Sequence, residues 1–413
     1  MTTATCEDRP VTIQGAKPRP RRILFVKERL AWPRSSGHDV HAFHSMKALA
    51  DAGHSVALST LDRPTDAALD GLTLAARFSF AERTPSVPAE GAIPVQLTKW
   101  QEKFRSYWGI DREKIRWVAA AANAFHADGV VVVGLNVLPY LGGVTGRLRI
   151  WYAADEWVWH HLSQWKWTHV GSWKELKPAL VKGLYERAYA SLLDRVWFVS
   201  DQDARAYRWV TGRRNSDVVP NGVDAEYFAP GDEIPIPNSC TFWGRLDFGP
   251  NVQAIEWFIG KVWPRVRARV PDARLDIFGF HPTAAVERLA GRDGISLTPN
   301  VSDLRPEVRA RMVAVFPFVS GGGIKNKILE AAAMGIPVLA TPRVTAGLAG
   351  DPPVVTAESP GDFAKELIQL WQEAPRRTRL GQAARDWVTA NHTWSAAARA
   401  ALAGFESATR MPA

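Results

Sequence analysis

The sequence predicts an α/β protein with two doubly wound parallel sheets, one per domain, facing each other across a cleft. Three observations lead to this prediction: the length of the chain, the alternation of apolar runs with helical stretches, and a strand, glycine loop and helix unit that opens each half. At 413 residues the chain exceeds one ordinary core and is long enough for two domains, each with a substantial interior.

Short apolar runs typical of strands buried in parallel sheets recur along the chain. They occupy residues 21–26, 54–58, 130–133, 150–153 and 195–200 in the first half, and 240–243, 274–278, 295–297, 313–318 and 337–340 in the second. Helical patterns lie between them, so right-handed crossovers are expected. The proline-rich stretch before residue 240 predicts a hinge at residues 230–238.

This pattern divides the chain into four segments. Residues 1–20 contain prolines and few apolar side chains, which predicts a disordered tail. Residues 21–230 form the predicted first domain and residues 238–388 the second. In residues 389–413 one helical stripe carries Trp394, Ala397, Ala401 and Phe405. An apolar stripe must be buried against another element, and we expect this helix to cross back to the first domain.

Composition excludes several classes of protein. The two cysteines, Cys6 and Cys240, support neither a disulfide framework nor a cysteine metal site. There is no apolar run long enough to span a membrane and no apolar core of a secretion signal near the start, so we expect a cytoplasmic protein. The net charge of +9 favours acidic partners such as phosphorylated substrates or anionic lipids. No nucleic-acid motif accompanies the charge, and nucleic acid is not an expected partner.

Tryptophan is unusually frequent, with 18 residues and a dense cluster between Trp151 and Trp173. The cluster lacks the regular spacing of one amphipathic helix. Core filling and a platform for a ligand or a membrane surface both explain it, because aromatic rings pack in cores, stack on sugars and rest at membrane interfaces.

The segment SGGGIKNKILE, residues 320–330, is typical of an anion-binding loop followed by a helix. Its glycines allow close approach of the backbone to a ligand, and a helix N-terminus attracts phosphate. Lys325 and Lys327 add mobile positive charge, and Glu330 stands on nearly the same helix face as Lys327. A carboxylate there can accept hydrogen bonds from the paired hydroxyls of a ribose. The alternative is an ordinary turn with a surface ion pair between Glu330 and Lys327.

Four motifs in order carry a family resemblance: GHSV at 53–56, VVPNGVDAEYFAP at 218–230, FWGRLDFGPNVQAIEWF at 242–258 and GGGIKNKILEAAAMGIPVLAT at 321–341. With them the chain resembles, almost end to end, the retaining GT-B glycosyltransferases called the GT4 or glycosyl-transferase group 1 family. The resemblance implies two Rossmann-like domains. The second would hold most of a nucleotide-sugar donor and the first would bind the acceptor.

The resemblance also implies roles for single residues. Glu330 matches the acidic residue that holds the donor ribose, and Arg245 matches an arginine that binds the diphosphate. The full set of predicted donor-binding residues is Gly37, Arg245, Gly322, Gly323, Ile324, Lys325, Lys327 and Glu330. The predicted catalytic residues are Asp155, Arg245 and Lys325.

Alternatives stay open at several of these positions. Arg245 has Asp247 as a nearby ion-pair partner, and Gly37 suits a simple turn as well as a site for donor phosphates. Asp155 follows a strand end, where doubly wound sheets bind ligands, and His160 or His161 could contact the acceptor instead. Many relatives carry a glutamate where this chain has Gly322, and a lysine after the glycine–arginine pair that Lys325 and Lys327 would replace.

The function implied by the resemblance is transfer of a sugar from a nucleotide diphosphate sugar to an acceptor hydroxyl, with retention and without a metal ion or a resident cofactor. The expected partners are the nucleotide sugar, a saccharide or lipid-linked acceptor, and the inner face of a membrane in peripheral contact. Surface polysaccharide or glycolipid assembly follows by analogy. The alternatives are another GT-B enzyme, such as a nucleotide-sugar epimerase or phosphorylase, and a non-catalytic basic binding protein.

Overall fold

The computed structural model describes residues 19–32, 37–83, 93–154, 156–162, 170–320, 326–345 and 347–409. Most of the predicted tail, the predicted acceptor residue Asp155 and the glycine loop of residues 321–325 lie outside these ranges. Gly322, Gly323, Ile324 and Lys325 are therefore predictions on which the structure gives no information.

In the described residues the first half of the chain forms a seven-stranded parallel sheet of order β3-β2-β1-β4-β5-β6-β7. The strands are β1 (Arg22–Lys27), β2 (Ser55–Thr60), β3 (Ala76–Ser79), β4 (Gly129–Val133), β5 (Leu148–Ala154), β6 (Arg195–Phe198) and β7 (Ser216–Val218). The helices are α1 (Gly37–Asp51), α2 (Asp66–Leu69), α3 (Lys99–Tyr107), α4 (Arg112–Ala124), α5 (Trp157–Leu162), α6 (Leu176–Tyr189) and α7 (Asp201–Thr211). The central strands are buried on both faces, as their continuous apolar runs predict.

The second half forms a six-stranded parallel sheet of order β10-β9-β8-β11-β12-β13 in the described part of the chain. Its strands are β8 (Ile236–Arg245), β9 (Arg274–Phe280), β10 (Ile295–Pro299), β11 (Arg311–Phe316), β12 (Val338–Ala340) and β13 (Val355–Thr356). The helices that follow are α8 (Gly249–Trp257), α9 (Trp263–Arg267), α10 (Ala284–Glu287), α11 (Leu304–Arg309), α12 (Asn326–Ala333), α13 (Pro360–Gln372), α14 (Ala374–Asn391) and α15 (Trp394–Thr409).

Local signals define several helix ends. Thr98 and Gln101 form a reciprocal capping box at the start of α3, which satisfies two backbone N–H groups that the helix leaves unpaired. Ser200 caps α7, and Gly212 ends it with φ of 73°, a left-handed conformation that glycine adopts without a steric penalty.

The C-terminal helix returns to the first domain, as the apolar stripe predicts. α15 packs against α1 and against β5, β6 and β7 of the first sheet. Phe405 is fully buried there and fits so closely over Gly129 that a Cβ atom at Gly129 would lie 2.5 Å from the ring. This helix therefore ties the end of the chain to the domain in which the chain begins.

The motif PNGVD lies between the two domains. Val223 donates its backbone N–H to the carbonyl of His392 over 2.8 Å, and the Asn221 amide donates to Oδ1 of Asn326 over 2.7 Å. His392 is buried, which lowers its pKa, and its Nδ1 lies 2.9 Å from the carbonyl of Asn221. The first residue of α12 is thus in direct contact with the segment that leaves the first domain.

The sheet edges differ from the sequence prediction. The short strands β3 and β7 were not predicted, because neither has a continuous apolar run. β8 begins at Ile236, inside the predicted hinge, although Pro237 follows. No helix in the described residues is long and apolar enough to span a membrane.

Candidate active site

Each sheet has one point where the strand order reverses direction. In the first sheet this switch point lies between β1 and β4, and in the second between β8 and β11. Ligands of doubly wound sheets bind outside the carboxyl ends of the strands at such points. Arg245 ends β8, and Lys327 and Glu330 lie on α12, which follows β11. The structure therefore brings these three predicted residues to the second switch point.

Glu330 is held in a fixed orientation by an indole. Trp243 Nε1 donates to Glu330 Oε2 over 2.8 Å, while Oε1 accepts no hydrogen bond from the described residues. Burial raises the pKa of the carboxyl group, and the Trp243 bond and the charge of Lys327 oppose that rise. The proposed surface ion pair with Lys327 is not formed. One carboxylate oxygen thus remains available to a ligand.

Lys327 is not a mobile surface charge, and that part of the sequence prediction is wrong. Its Nζ donates to Asn251 Oδ1 over 3.0 Å and lies 4.4 Å from the ring centroid of Phe242. The Phe318 ring is 5.1 Å away, so the ammonium group is within cation–π distance of both rings. A cation fixed in this way by its surroundings loses little conformational freedom when it binds an anion.

Gly244 explains how the lysine reaches this position. A Cβ atom there would lie 2.7 Å from Lys327 Nζ, and the φ of 141° is one that other residues rarely adopt. The glycine in the WGR motif therefore leaves room for the ammonium group at the end of β8.

Arg245 forms the ion pair considered from the sequence. Its Nε and Nη2 donate to the two oxygens of Asp247 over 3.0 and 2.6 Å. These hydrogen bonds hold the pKa of the Asp247 carboxyl below its usual value. Because the Arg245 side chain is 45% exposed, the pair is worth about 0–1 kcal/mol, and a phosphate group can compete for the guanidinium.

Gly37 is the first residue of α1, near the first switch point. A Cβ atom at this position would meet nothing within 4 Å among the described residues. Space for a ligand and a simple helix start are both compatible with this geometry, so its predicted role in donor binding stays a prediction.

A cavity of about 390 Å³ opens at the first switch point, between the ends of β1 and β4. Its polar and aromatic lining consists of Lys27, Glu28, His38, Trp108, Asn136, Trp157 and Lys182. Sequence reasoning missed these residues. Glu28 directly follows β1, so the switch-point rule could have found it, but nothing in the sequence relates Trp108 or Lys182 to this strand end.

Two buried carboxyl groups lie beside this cavity. Glu186 on α6 and Glu156, which follows β5, are both buried, and neither carboxylate oxygen of Glu186 has a hydrogen-bond partner among the described residues. Burial first, and then the neighbouring Glu156, raise the pKa of Glu186 well above its usual value, while Lys182 opposes the shift. Burial thus favours the protonated form of the Glu186 carboxyl group.

The tryptophan cluster has no single role. Trp151 is fully buried in the core and donates from Nε1 to the carbonyl of Gly134. Trp157 lines the cavity, and Lys182 Nζ lies 4.0 Å above its ring. Trp173 is 44% exposed. Core filling and a surface role thus occur in the same segment.

A second cavity of about 540 Å³ lies at the opposite edge of the first sheet. It is lined by Asp128, Leu148 and Asp194, which lie at or just before the amino ends of β4, β5 and β6. Strand amino ends are not the ligand edge of a doubly wound sheet, and this cavity is not a candidate active site.

A known protein family matches the part of the chain that contains the second switch point. The family model "Glycosyl transferases group 1" matches residues 237–373, which contain the second sheet. No curated protein sequence matches the chain.

Solved structures match over nearly the whole chain. TarM superposes with a TM-score of 0.70 at 11% identity, over 94% of this chain and 99% of its own. Anabaena HepE, crystallised with UDP and glucose, gives a TM-score of 0.62 at 13% identity, over 95% of this chain and 100% of its own. WaaG, a glycosyltransferase involved in lipopolysaccharide biosynthesis, gives 0.57 at 15% identity, over 92% and 98%.

Similarity at these identities establishes the fold, and it confirms the predicted GT-B architecture of two Rossmann-like domains. The family match falls on the domain that contains Arg245, Lys327 and Glu330. Fold and family match together support a group 1 glycosyltransferase.

Proposed function

We propose that the protein transfers a sugar from a nucleotide diphosphate sugar to an acceptor hydroxyl, with retention at the anomeric carbon. The observation that carries this proposal is the arrangement at the second switch point. A carboxylate with one oxygen fixed by Trp243 lies one helical turn from the fixed cation of Lys327. The carboxylate suits the paired hydroxyls of a ribose, and the cation suits the adjoining diphosphate.

Catalysis in this proposal is electrostatic stabilisation of the leaving nucleoside diphosphate. The bond between the anomeric carbon and the diphosphate oxygen breaks, and its electron pair stays on the diphosphate. Lys327, Arg245 and Lys325 would stabilise that charge together with the N-terminus of α12, in place of a metal ion. The acceptor oxygen forms the new bond, and its proton passes to the departing phosphate.

The donor class has support from similar folds. HepE was crystallised with UDP-glucose, and S. aureus TarM with UDP and alpha-GlcNAc-glycerol. A UDP-sugar is therefore the first donor to test here, with a saccharide as acceptor.

The first experiment is thermal stabilisation of the purified protein by UDP, GDP, ADP and CDP sugars. A ligand that binds only the folded state raises the melting temperature, by an amount set by its concentration relative to Kd. We expect a shift with one nucleotide family, lost in Glu330→Ala and partly kept in Glu330→Gln, because the amide oxygen can still accept from Trp243. The exposed Glu287→Ala on α10 is the matched control. Absence of a shift with every donor contradicts the proposal.

A second assay separates transfer from the other GT-B reactions. Nucleotide release that requires an acceptor supports a transferase, whereas a product formed from the donor alone indicates an epimerase. The proton coupling at the anomeric carbon of the product, measured by NMR, distinguishes retention from inversion.

We also propose peripheral contact with the inner face of an anionic membrane, and a lipid-linked acceptor in surface polysaccharide or glycolipid assembly. Support comes from a surface on α3, on α6 and on the turn at residues 170–175 before α6; the two helices pack together through Gln101 and Ala188. We call it the cationic–apolar face. Its exposed members are Lys99, Trp100, Lys103, Trp173, Lys174, Lys177, Leu180, Leu184 and Arg187.

The charges of this face are suited to anionic lipid. Glu102 on α3 is paired with Arg105 and Arg112, and Glu175 with His161, so these neighbouring acids leave the lysines uncompensated. Leu180 and Leu184 are 65% and 51% exposed one turn apart. Apolar side chains flanked by lysine are typical of helices that lie in a membrane interface.

Vesicle sedimentation tests this contact. We expect the protein to bind phosphatidylglycerol vesicles, with binding that weakens as salt increases, and not to bind phosphatidylcholine. Leu184→Glu should abolish binding, because it places a charge in the apolar part of the face. Ile234→Glu, at a site 88% exposed outside the face, is the control. Equal binding by both variants contradicts the contact.

A further inference from the structure

The cavity at the first switch point has the position of a ligand site without an assigned ligand. It lies where β1 ends at Lys27 and β4 ends at Val133, on the carboxyl edge of the sheet. Its volume of about 390 Å³ falls within the range of small-molecule sites, about 300–1,000 Å³. Two tryptophans and several polar groups line it, a composition suited to a ring with an apolar face and hydroxyl groups on its edge.

Two hydrogen-bond acceptors in the wall of the cavity lack partners in the part of the chain that the structure describes. The Glu28 carboxylate makes no ion pair or hydrogen bond within the described part of the chain. The Nε2 atom of His38 is buried and has no hydrogen-bond partner among the described residues. A buried polar atom without a partner is costly unless a ligand satisfies it.

The histidine is neutral. Burial, followed by the positive charge of Lys27, lowers the pKa of His38. A neutral imidazole has one ring nitrogen that accepts a hydrogen bond, and Nε2 can take that role toward a hydroxyl group of a ligand.

The cations of the cavity are already engaged. Lys27 forms an ion pair with Asp39 over 2.7 Å, and both side chains are largely buried. Lys182 lies over the Trp157 ring, close to the Glu156–Glu186 pair. Glu28 is the remaining charge and would repel an anion. These charges favour a ligand that is neutral and donates hydrogen bonds.

We propose that this cavity binds a neutral pyranose unit of the acceptor, which packs against Trp108 and Trp157 and donates hydroxyl hydrogen bonds to Glu28 and His38. The inference rests on the proposed transfer function, since it places the acceptor sugar opposite the donor site. The negative charge of Glu28 disfavours a uronic acid or a phosphorylated sugar, so the expected ligand is an uncharged sugar. Specificity for the acceptor sugar would then depend on residues just after β1 and α3 and on residues of α1 and α5.

Saturation-transfer difference NMR tests binding without catalysis. The probes are methyl glucoside, methyl galactoside, methyl mannoside and methyl N-acetylglucosaminide, with methyl glucuronide as the anionic comparison. We expect the wild-type protein to saturate at least one neutral glycoside and not the glucuronide. Saturation of the glucuronide as strongly as the neutral glycosides, or no saturation of any probe, overturns the proposal.

Variants then locate the bound sugar. Glu28→Gln and Trp108→Ala should lose the saturation signal, while Trp209→Ala, at a tryptophan 77% exposed on α7, and Asp70→Asn should keep it. In transfer assays with p-nitrophenyl glycosides, Glu28→Gln should raise the acceptor KM about tenfold or more. The donor-induced thermal shift should stay unchanged in both cavity variants. Unchanged saturation in Glu28→Gln and Trp108→Ala overturns the assignment.

The transfer function and the sugar site can be contradicted independently of each other. A wild-type protein that binds a neutral glycoside in this cavity but shows no shift with any nucleotide sugar supports the sugar site and contradicts the transferase. A protein that shows a donor shift and acceptor-dependent transfer, with normal acceptor KM in both cavity variants, supports the transferase and overturns the sugar site.

Discussion

The two switch points of this molecule are built in opposite ways. At the second, between β8 and β11, aromatic rings and Asn251 fix Lys327, and an indole fixes Glu330. At the first, between β1 and β4, a cavity of about 390 Å³ stays open, and Glu28 and His38 Nε2 lack partners in the described residues. In the proposed function, the second switch point holds charges rigidly for the diphosphate, which is common to all such donors. The first switch point leaves hydrogen-bonding groups for an acceptor whose shape differs between enzymes.

The largest effect on transfer activity is expected when the positive charge of Lys327 is removed. Lys327→Met keeps an unbranched side chain against the Phe242 ring but removes the charge. We expect kcat/KM for transfer to fall about a hundredfold or more, with a small change in melting temperature, because the cation stabilises the leaving diphosphate. The measurement is acceptor-dependent nucleotide release.

Lys365→Met on α13 is the control for this variant, since Lys365 is exposed on the same domain. Wild-type activity in Lys327→Met would show that the fixed lysine serves packing alone.

A smaller effect is expected from the exposed arginine of the same switch point. Arg245→Ala should reduce kcat/KM about tenfold, because the guanidinium can bind phosphate with two parallel hydrogen bonds. Asp247→Asn weakens the competing ion pair and should keep or increase donor affinity. Acceptor-dependent nucleotide release measures kcat/KM, and titration calorimetry with the donor found by thermal shift measures the donor affinity of both variants. A loss of affinity in Asp247→Asn equal to that in Arg245→Ala would indicate that the ion pair, and not a free guanidinium, supports the site.

The smallest effect concerns stability beside the first switch point. Burial keeps Glu186 protonated in the fold, whereas the unfolded chain ionises it above its ordinary pKa. The raised folded pKa therefore costs stability as pH rises above that ordinary value. Glu186→Gln cannot ionise, so its melting temperature should decline less from mildly acidic to mildly alkaline pH, by a few degrees, at about 2–4 °C per kcal/mol.

Scanning calorimetry over that pH range checks this prediction, with Glu287→Gln as the control. Parallel pH profiles for Glu186→Gln and the wild type would mean that burial does not raise the pKa of Glu186 in the fold.

The residues of the second switch point could be predicted from the sequence better than those of the first, because of where they lie in the chain. Arg245, Lys327 and Glu330 belong to two contiguous motifs, so their spacing already places them near strand ends. Trp108 and Lys182 reach the first cavity only because α3 packs on α6, a tertiary contact with no local signal. A local signal also decides which strands could be predicted from the sequence. β4 is a run of valines, but β7 is only Ser216, Asp217 and Val218 at a sheet edge.

The environment of a predicted residue was harder to predict than its position. Lys327 was expected to be mobile because lysine at a helix start usually extends into water, yet Gly244 leaves room for it among the phenylalanine rings. The Arg245–Asp247 pair, by contrast, joins residues two apart in the chain and could be anticipated from the sequence.

The contact between Asn221 and Asn326 has a thermodynamic consequence. Asn326 is the first residue of α12 and Asn221 belongs to the segment that links the domains, so the two share one hydrogen bond of 2.7 Å. In the proposed function, a donor that shifted the start of α12 would also change the free energy of the domain arrangement. Because coupling is reciprocal, an acceptor that favoured that arrangement would strengthen donor binding by the same factor. The order in which the two substrates bind then affects the rates but not the total affinity.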